Sequence, residues 1–223
     1  MFVGHFGVAF AAKRIAPRTS LGTLIAASSF IDLVWPILLL AGVERVRIDP
    51  GAAPFLRFEF ESYPISHSAL AVLGWAAAFG VVYLWRTGYR AGALVTAALV
   101  ASHWLLDFST HLPDLALWPG GPRMGLGLWR STSATVVVEL AIFFGGVALY
   151  LSATRARSGA GRWGLAAFIV MLLFTYASSI LAGAPPSVTA VGVAGILGSA
   201  LTIAWAAWAD RGREAKQGSP PAA

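Results

Sequence analysis

Cysteine is absent from this 223-residue chain, and charge is scarce. The first absence excludes disulfides and thiolate metal sites, and removes cysteine usage as a guide to redox compartment. The second carries more weight. Only 12% of the residues are Asp, Glu, Lys or Arg, about half the ~25% of a soluble domain. No Gly-x-Ser-x-Gly elbow supports a serine nucleophile, and no internal repeat points to an inverted-repeat transporter. The net charge is +6, but the basic residues sit in short loops between apolar runs, with no RNA-binding signature or basic helix. No nucleic-acid partner is therefore expected. What fills the chain is hydrocarbon: 57% of residues are hydrophobic and the mean hydropathy is +0.72.

A bilayer crossing takes about 20 mostly apolar residues. Six stretches qualify, 21–42, 67–86, 91–112, 133–151, 164–182 and 188–208. Phe2 to Ala12 is apolar but short, and is expected to form a short or re-entrant helix extending as far as Ile15. A signal peptide would carry its positive charges ahead of the apolar core, whereas Lys13 and Arg14 follow it. The predicted fold is thus an all-α, polytopic transmembrane bundle of about six spans plus a short N-terminal helix. It occupies residues 1–209 as a single domain, and the polar residues 210–223 are expected to be a disordered tail. Eleven of the sixteen Lys and Arg residues fall on one side of this topology. Arg45, Arg47, Arg57, Arg123 and Arg130 fall on the other. The positive-inside bias makes the first side, with the C-terminus, cytoplasmic. The long loops 43–66 and 113–132 then face outward. Trp85, Trp129, Trp163 and Trp208 lie near span ends, where interfacial anchoring accounts for them.

Against this background the ionisable residues within apolar segments stand out. His103, Asp107 and His111 are spaced i, i+4, i+8 and fall within roughly 80° of one helix face. Asp114 would extend the stripe, but Pro113 disfavours helix in the residue before it, so a solvated loop carboxylate is the simpler expectation there and at Asp49. His67 opens the second span, after Tyr63-Pro64-Ile65-Ser66. Glu139 lies about two turns into the fourth. His5 is in the N-terminal helix. Asp32 is in the first span and lies deeper, unless Pro36 bends that helix. A lone intramembrane His or Asp is as often a packing residue as a ligand. Three on one stripe are expensive glue, because interhelical polar contacts average only about 0.6 kcal/mol. The topology brings His67, Asp107, His111, Glu139 and His5 toward one membrane face.

Imidazole and carboxylate without thiolate suit a divalent ion, Zn first, with Mn or Fe as alternatives. His103, Asp107, His111, His67 and His5 are the expected metal ligands. Glu139 and Asp32 are the expected catalytic carboxylates, Glu139 as ligand or general base unless Arg130 pairs with it. Ser66, Ser68, Ser102 and Ser109 flank histidines, and Ser68 fits a helix start or a supporting role better than a nucleophile. Metal-assisted hydrolysis is one function such a site serves. A proton- or metal-ion-coupled transporter is a second, and a scaffold whose polar cluster specifies helix packing is a third.

Gly4-His5-Phe6-Gly7, Tyr63-Pro64-Ile65-Ser66-His67-Ser68, the stretch Ser102 to Asp114, Trp118-Pro119-Gly120-Gly121-Pro122 and Gly125-Leu126-Gly127-Leu128-Trp129 together resemble a family of bacterial inner-membrane metal-dependent hydrolases, the YdjM-like group. The resemblance covers residues 1–150. The group is distantly similar to zinc-dependent phospholipase C enzymes, which are helical and use His and Asp/Glu ligands. It implies metal-assisted hydrolysis of a small-molecule or lipid ester or phosphoester in a bacterial inner membrane. The sequence departs from the group's His-Arg-Gly-x-Thr-His-Ser motif, with Ser62 and Tyr63 in place of the first two residues. Only Asp32 stands for a pair of aspartates. The resemblance therefore implies one or two metal ions rather than three.

Overall fold

Serine hydroxyls begin four of the helices in the computed structural model, which describes residues 1–216. Ser20, Ser68, Ser131 and Ser187 each accept the third amide of the helix that follows, filling one of the donors a helix start leaves open. The helices so begun are α2 (Leu21–Ser28), α5 (Ala69–Thr87), α7 (Thr132–Ala153) and α9 (Val188–Arg211). The others are α1 (Val3–Ala12), α3 (Phe30–Leu40), the single turn α4 (Pro64–His67), α6 (Arg90–Thr110) and α8 (Leu165–Leu181), making nine among the described residues. The fold is all-α, as expected. Five helices are long and apolar enough to cross a membrane: α5, α6, α7, α9, and α8 with the π-turn 160–164 that leads into it. The α2–α3 pair is a sixth crossing if it is one broken span. Leu70, Leu73, Val81, Leu94, Val137, Phe174 and Leu197 stand exposed along these helices, as side chains facing lipid do.

Three antiparallel strand pairs went unforeseen in the sequence: β1 (Arg45–Ile48) with β2 (Phe58–Ser62), β3 (Leu115–Ala116) with β4 (Arg123–Met124), and β5 (Thr154–Ala156) with β6 (Arg213–Ala215). The last two pairs are too short for an alternation signal, whereas Arg45-Val46-Arg47-Ile48 and Phe58-Glu59-Phe60-Glu61 do alternate polar and apolar residues.

The first span bends by 56° between α2 and α3, at Ser29 and not at Pro36. Pro36 sits inside α3. The Ser28 and Ser29 hydroxyls both donate back to the Ile25 carbonyl, at 3.1 and 2.7 Å, a contact that competes with the helical ladder and bends helices. The break places Asp32 in the first turn of α3.

The short α1 is enclosed by the longer helices. Gly7 of α1 and Gly146 of α7 meet backbone to backbone, with no room for a Cβ on either, the close approach that small residues allow between helices. Phe10, Phe143, Tyr150 and Phe168 fill the middle of the bundle and are fully buried.

At the end bearing the basic loops, Lys13 donates to Asp210 at 2.7 Å and to the Thr19 carbonyl at 2.9 Å. Asp210 also accepts from the Leu21 amide at 2.9 Å and from the Tyr150 hydroxyl at 2.6 Å. Every polar atom of this clasp is satisfied, and it ties α1, α2, α7 and α9 together. The tail expected from residue 210 is corrected here. Asp210 and Arg211 finish α9, and 213–215 pair with β5; residues 217–223 lie outside those described. Breaking a buried pair from one side costs about 3–5 kcal/mol. Asp210→Ala is therefore expected to lower the unfolding free energy by about 3 kcal/mol or more in detergent. Lys13→Met/Asp210→Leu should recover most of that loss, and chemical denaturation in mild detergent measures both.

Candidate metal centre

The opposite end of the bundle gathers the ionisable residues. His5, His67, His103, Asp107 and His111 are each at most 4% exposed. Asp107 is the hub. Its Oδ2 lies 3.1 Å from His103 Nε2, 3.8 Å from His67 Nε2 and 3.9 Å from His111 Nε2. Its Oδ1 lies 3.1 Å from His5 Nε2 and meets the amino group of Met1. Asp32 Oδ1 is 3.6 Å from His103 Nε2 and 3.9 Å from His67 Nε2. The two sets of donors that lie mutually within 4.8 Å are His5, His103 and Asp107, and Asp32, His67 and His103. His103 belongs to both. His111, at the C-cap of α6, reaches Asp107 but belongs to neither set.

What orients these rings is a partner at the other nitrogen. His103 Nδ1 lies 2.8 Å from the Ser28 carbonyl, at the α2–α3 break. His111 Nδ1 lies 3.0 Å from Asp114 Oδ1. Carbonyl and carboxylate oxygens only accept, so both Nδ1 atoms carry hydrogen. His67 Nδ1 lies 2.7 Å from Ser66 Oγ. That hydroxyl donates to Glu44 at 2.6 Å and is left to accept from the imidazole. Three Nε2 atoms are thus turned toward the oxygens of Asp107 and Asp32. Metal-bound histidines are fixed in this way, with an acceptor on the nitrogen away from the ion.

The donor set fits a divalent cation. With its proton on Nδ1, His103 directs the Nε2 lone pair at two carboxylate oxygens, and this buried atom has no hydrogen-bond partner in the protein. A cation between them, or a proton on Nε2, would offset the two carboxylates. Donors about 2.1 Å from one tetrahedral ion are about 3.4 Å apart. The four His–Asp separations among His67, His103, Asp32 and Asp107 are 3.1–3.9 Å. His5 and His103 are stacked at 3.8 Å with only 2° between their planes.

Glu139 is not among the metal donors and does not pair with Arg130. Its Oε2 accepts from the amides of Phe2 and Gly4, at 2.7 and 3.1 Å, so it closes the N-terminus of α1. Its Oε1 is buried without a partner, and the residue lines the cavity beside Asp107. Asp114 is not the solvated loop carboxylate expected, because it also accepts from the Tyr63 hydroxyl at 2.6 Å. Burial and the adjacent Asp114 carboxylate push the Tyr63 phenol above its ordinary pKa, which keeps it protonated as a donor. The Asp49 carboxylate accepts from the nearby Gly51 amide. Ser68 caps α5.

Glu44 is the residue that sequence reasoning missed. It is 1% exposed, and it accepts from the amides of Ile65 and Ser66 at 2.8 Å each and from Ser66 Oγ. One carboxylate thereby caps α4 and fixes the serine behind His67. Its place beside Arg45 in a loop gave no sign of this. Ser66→Ala should leave His67 Nδ1 without its acceptor and weaken metal affinity about 10–100-fold, as read by competition with a chelator of known affinity.

Comparison of the chain with protein-family models, curated proteins and solved structures finds no match.

Proposed function

We propose that this membrane protein is a metal-dependent hydrolase of an ester or phosphoester, with the site described above as its centre. The observation that carries the proposal is the common orientation of His67, His103 and His111. Each is tied at Nδ1 to an oxygen, and each presents Nε2 to Asp107. Zn fits this donor set first, because the ligands are imidazole and carboxylate with no thiolate. An ion held there would lower the pKa of a water molecule and polarise the phosphoryl or carbonyl oxygen.

The protein's own groups supply the rest. Asp107 and Asp32 provide the negative charge that holds a cation, and the Ser28 carbonyl, Ser66 and Asp114 fix the imidazoles. Glu139 Oε1 is free to take a proton from the attacking water and return it to the leaving oxygen, while its Oε2 stays held by the α1 amides. The water oxygen bonds to phosphorus or to the carbonyl carbon, and the ester bond to the leaving oxygen breaks.

A transporter would need a polar route to the other face. Between this cluster and the Lys13–Asp210 clasp lies the aromatic packing of Phe10, Phe143, Tyr150 and Phe168, which favours an enzyme open on one side. In this proposal the side with few basic residues is extracytoplasmic, the C-terminus is cytoplasmic and the membrane is a bacterial inner membrane. The supports are the positive-inside bias and the sequence resemblance described above. The test is turnover of phosphoester and carboxyl-ester substrates by protein purified in mild detergent. Activity should be lost to a chelator and restored by Zn. Stoichiometric metal with no turnover on either substrate class would overturn the hydrolase assignment.

A further inference from the structure

A cavity of about 500 Å³ opens from the metal centre, within the ~300–1,000 Å³ range of small-molecule sites. Its two ends differ. Asp32, His67, Asp107, His111 and Glu139 form one end. The remainder is walled by Phe55, by Phe58 and Phe60 of β2, and by apolar and small residues of α8 and α9.

Along α9 the wall runs from Val191 to Thr202. The eleven residue-to-residue steps from Val191 to Thr202 rise about 16 Å, roughly half of the ~30 Å hydrocarbon thickness of a bilayer and so about the depth of one leaflet. The seam between the two helices is open. Thr175 of α8 and Ala194, Gly198 and Leu201 of α9 line the cavity and are exposed at the same time. A Cβ placed on Gly198 meets no atom within 4 Å. At this depth the surrounding medium is lipid. At the polar end, the indole N–H groups of Trp35 and Trp129 are buried without an acceptor in the protein, and both residues line the cavity. Buried indoles ordinarily find an acceptor, and an oxygen of a bound headgroup would provide one.

We infer that the cleft between α8 and α9 admits the hydrocarbon chain of a membrane lipid sideways from the bilayer, setting the lipid's ester or phosphoester against the Asp107 cluster. This rests on the hydrolase proposal for what happens to the headgroup, but not for the binding of the chain. A water-soluble ester would leave this apolar length unfilled. The chain exchanges one apolar medium for another, so the cleft fixes where the chain lies, while the Trp indoles and the polar end hold and orient the head.

The probe is a phosphatidylcholine with a diazirine in a palmitoyl chain, photolysed with the full chain in mild detergent, the labelled residues being mapped by mass spectrometry. In the native protein, label should concentrate on Thr175, Ala194, Gly198 and Leu201, above Val193 and Leu197 of the same helix α9. Gly198→Phe puts a ring into the open space beside Gly198 and should cut labelling at Thr175, Ala194 and Leu201 about tenfold or more, because the ring occupies the volume the chain would take. Labelling of Val193 and Leu197, and metal content, should not change. Ala194→Phe is the second variant, in case Gly198→Phe does not fold. Cleft labelling that is no stronger than at Leu197, or that survives both substitutions, overturns the inference. Cleft labelling should persist in His103→Ala after its metal is gone, so the chain site stands even if the hydrolase proposal fails.

Discussion

Asp107→Ala is expected to leave the purified protein without stoichiometric divalent metal, under conditions in which the native chain carries it. The expectation follows from the position of this carboxylate. Four imidazole Nε2 atoms lie within 3.9 Å of its two oxygens, whereas Asp32 comes this close to only two of them. His103→Ala should have the same effect, because His103 is common to both donor sets. Asp107→Asn keeps the volume and removes the charge, and it should also lose the metal. Plasma mass spectrometry of protein made without chelator or a histidine tag reads the outcome. Stability gives a second measure. A metal present at 100 times its Kd stabilises the native state by about 2.7 kcal/mol, so a chelator should lower the Tm of the native chain and leave that of Asp107→Ala unmoved. Were the cluster held together by protons alone, the native Tm would not respond to chelator. Unchanged metal content in both alanine variants would sink the assignment.

The parts of this architecture that were legible in the sequence are those that hydrophobicity controls. The crossings expected at 67–86, 91–112, 133–151, 164–182 and 188–208 correspond to α5, α6, α7, α8 and α9, because length and apolar content suffice to define a span. The stripe His103, Asp107, His111 was legible because helical spacing is fixed. Only part of it lies on helix, since α6 ends at Thr110. The bend at Ser29 was not legible. Pro36 is the stronger formal helix breaker, yet two adjacent serine hydroxyls bonding to the Ile25 carbonyl decide where the span breaks. The acceptors behind the imidazoles were not legible either. One is the backbone carbonyl of Ser28, which any residue would supply, and another is reached through Glu44, twenty-three residues from His67 in the chain. Such partners depend on how the loops return to the helix ends, and local pattern says nothing of that.

Glu139→Gln is expected to reduce kcat by about 10²–10⁴-fold, the usual contribution of a general base, while metal content and fold persist. The two oxygens of this carboxylate have different tasks, and that makes the substitution informative. Oε2 accepts from the amides of Phe2 and Gly4, and a glutamine carbonyl oxygen can accept the same two bonds. The anchoring of α1 should therefore survive, and His5, one turn further along α1, should keep its place against Asp107. Oε1 has no partner in the protein, and it is this oxygen whose capacity to accept a proton the amide removes. If Glu139 serves only as the N-terminal clamp of α1, Glu139→Gln will turn over substrate at nearly the native rate, and Glu139→Ala alone will be impaired, through lost stability and displaced His5. If it is the base, the two variants will be similarly slow, but only Glu139→Ala will also lose Tm. Comparing kcat, metal content and Tm across the pair separates a proton-transfer role from a purely structural one.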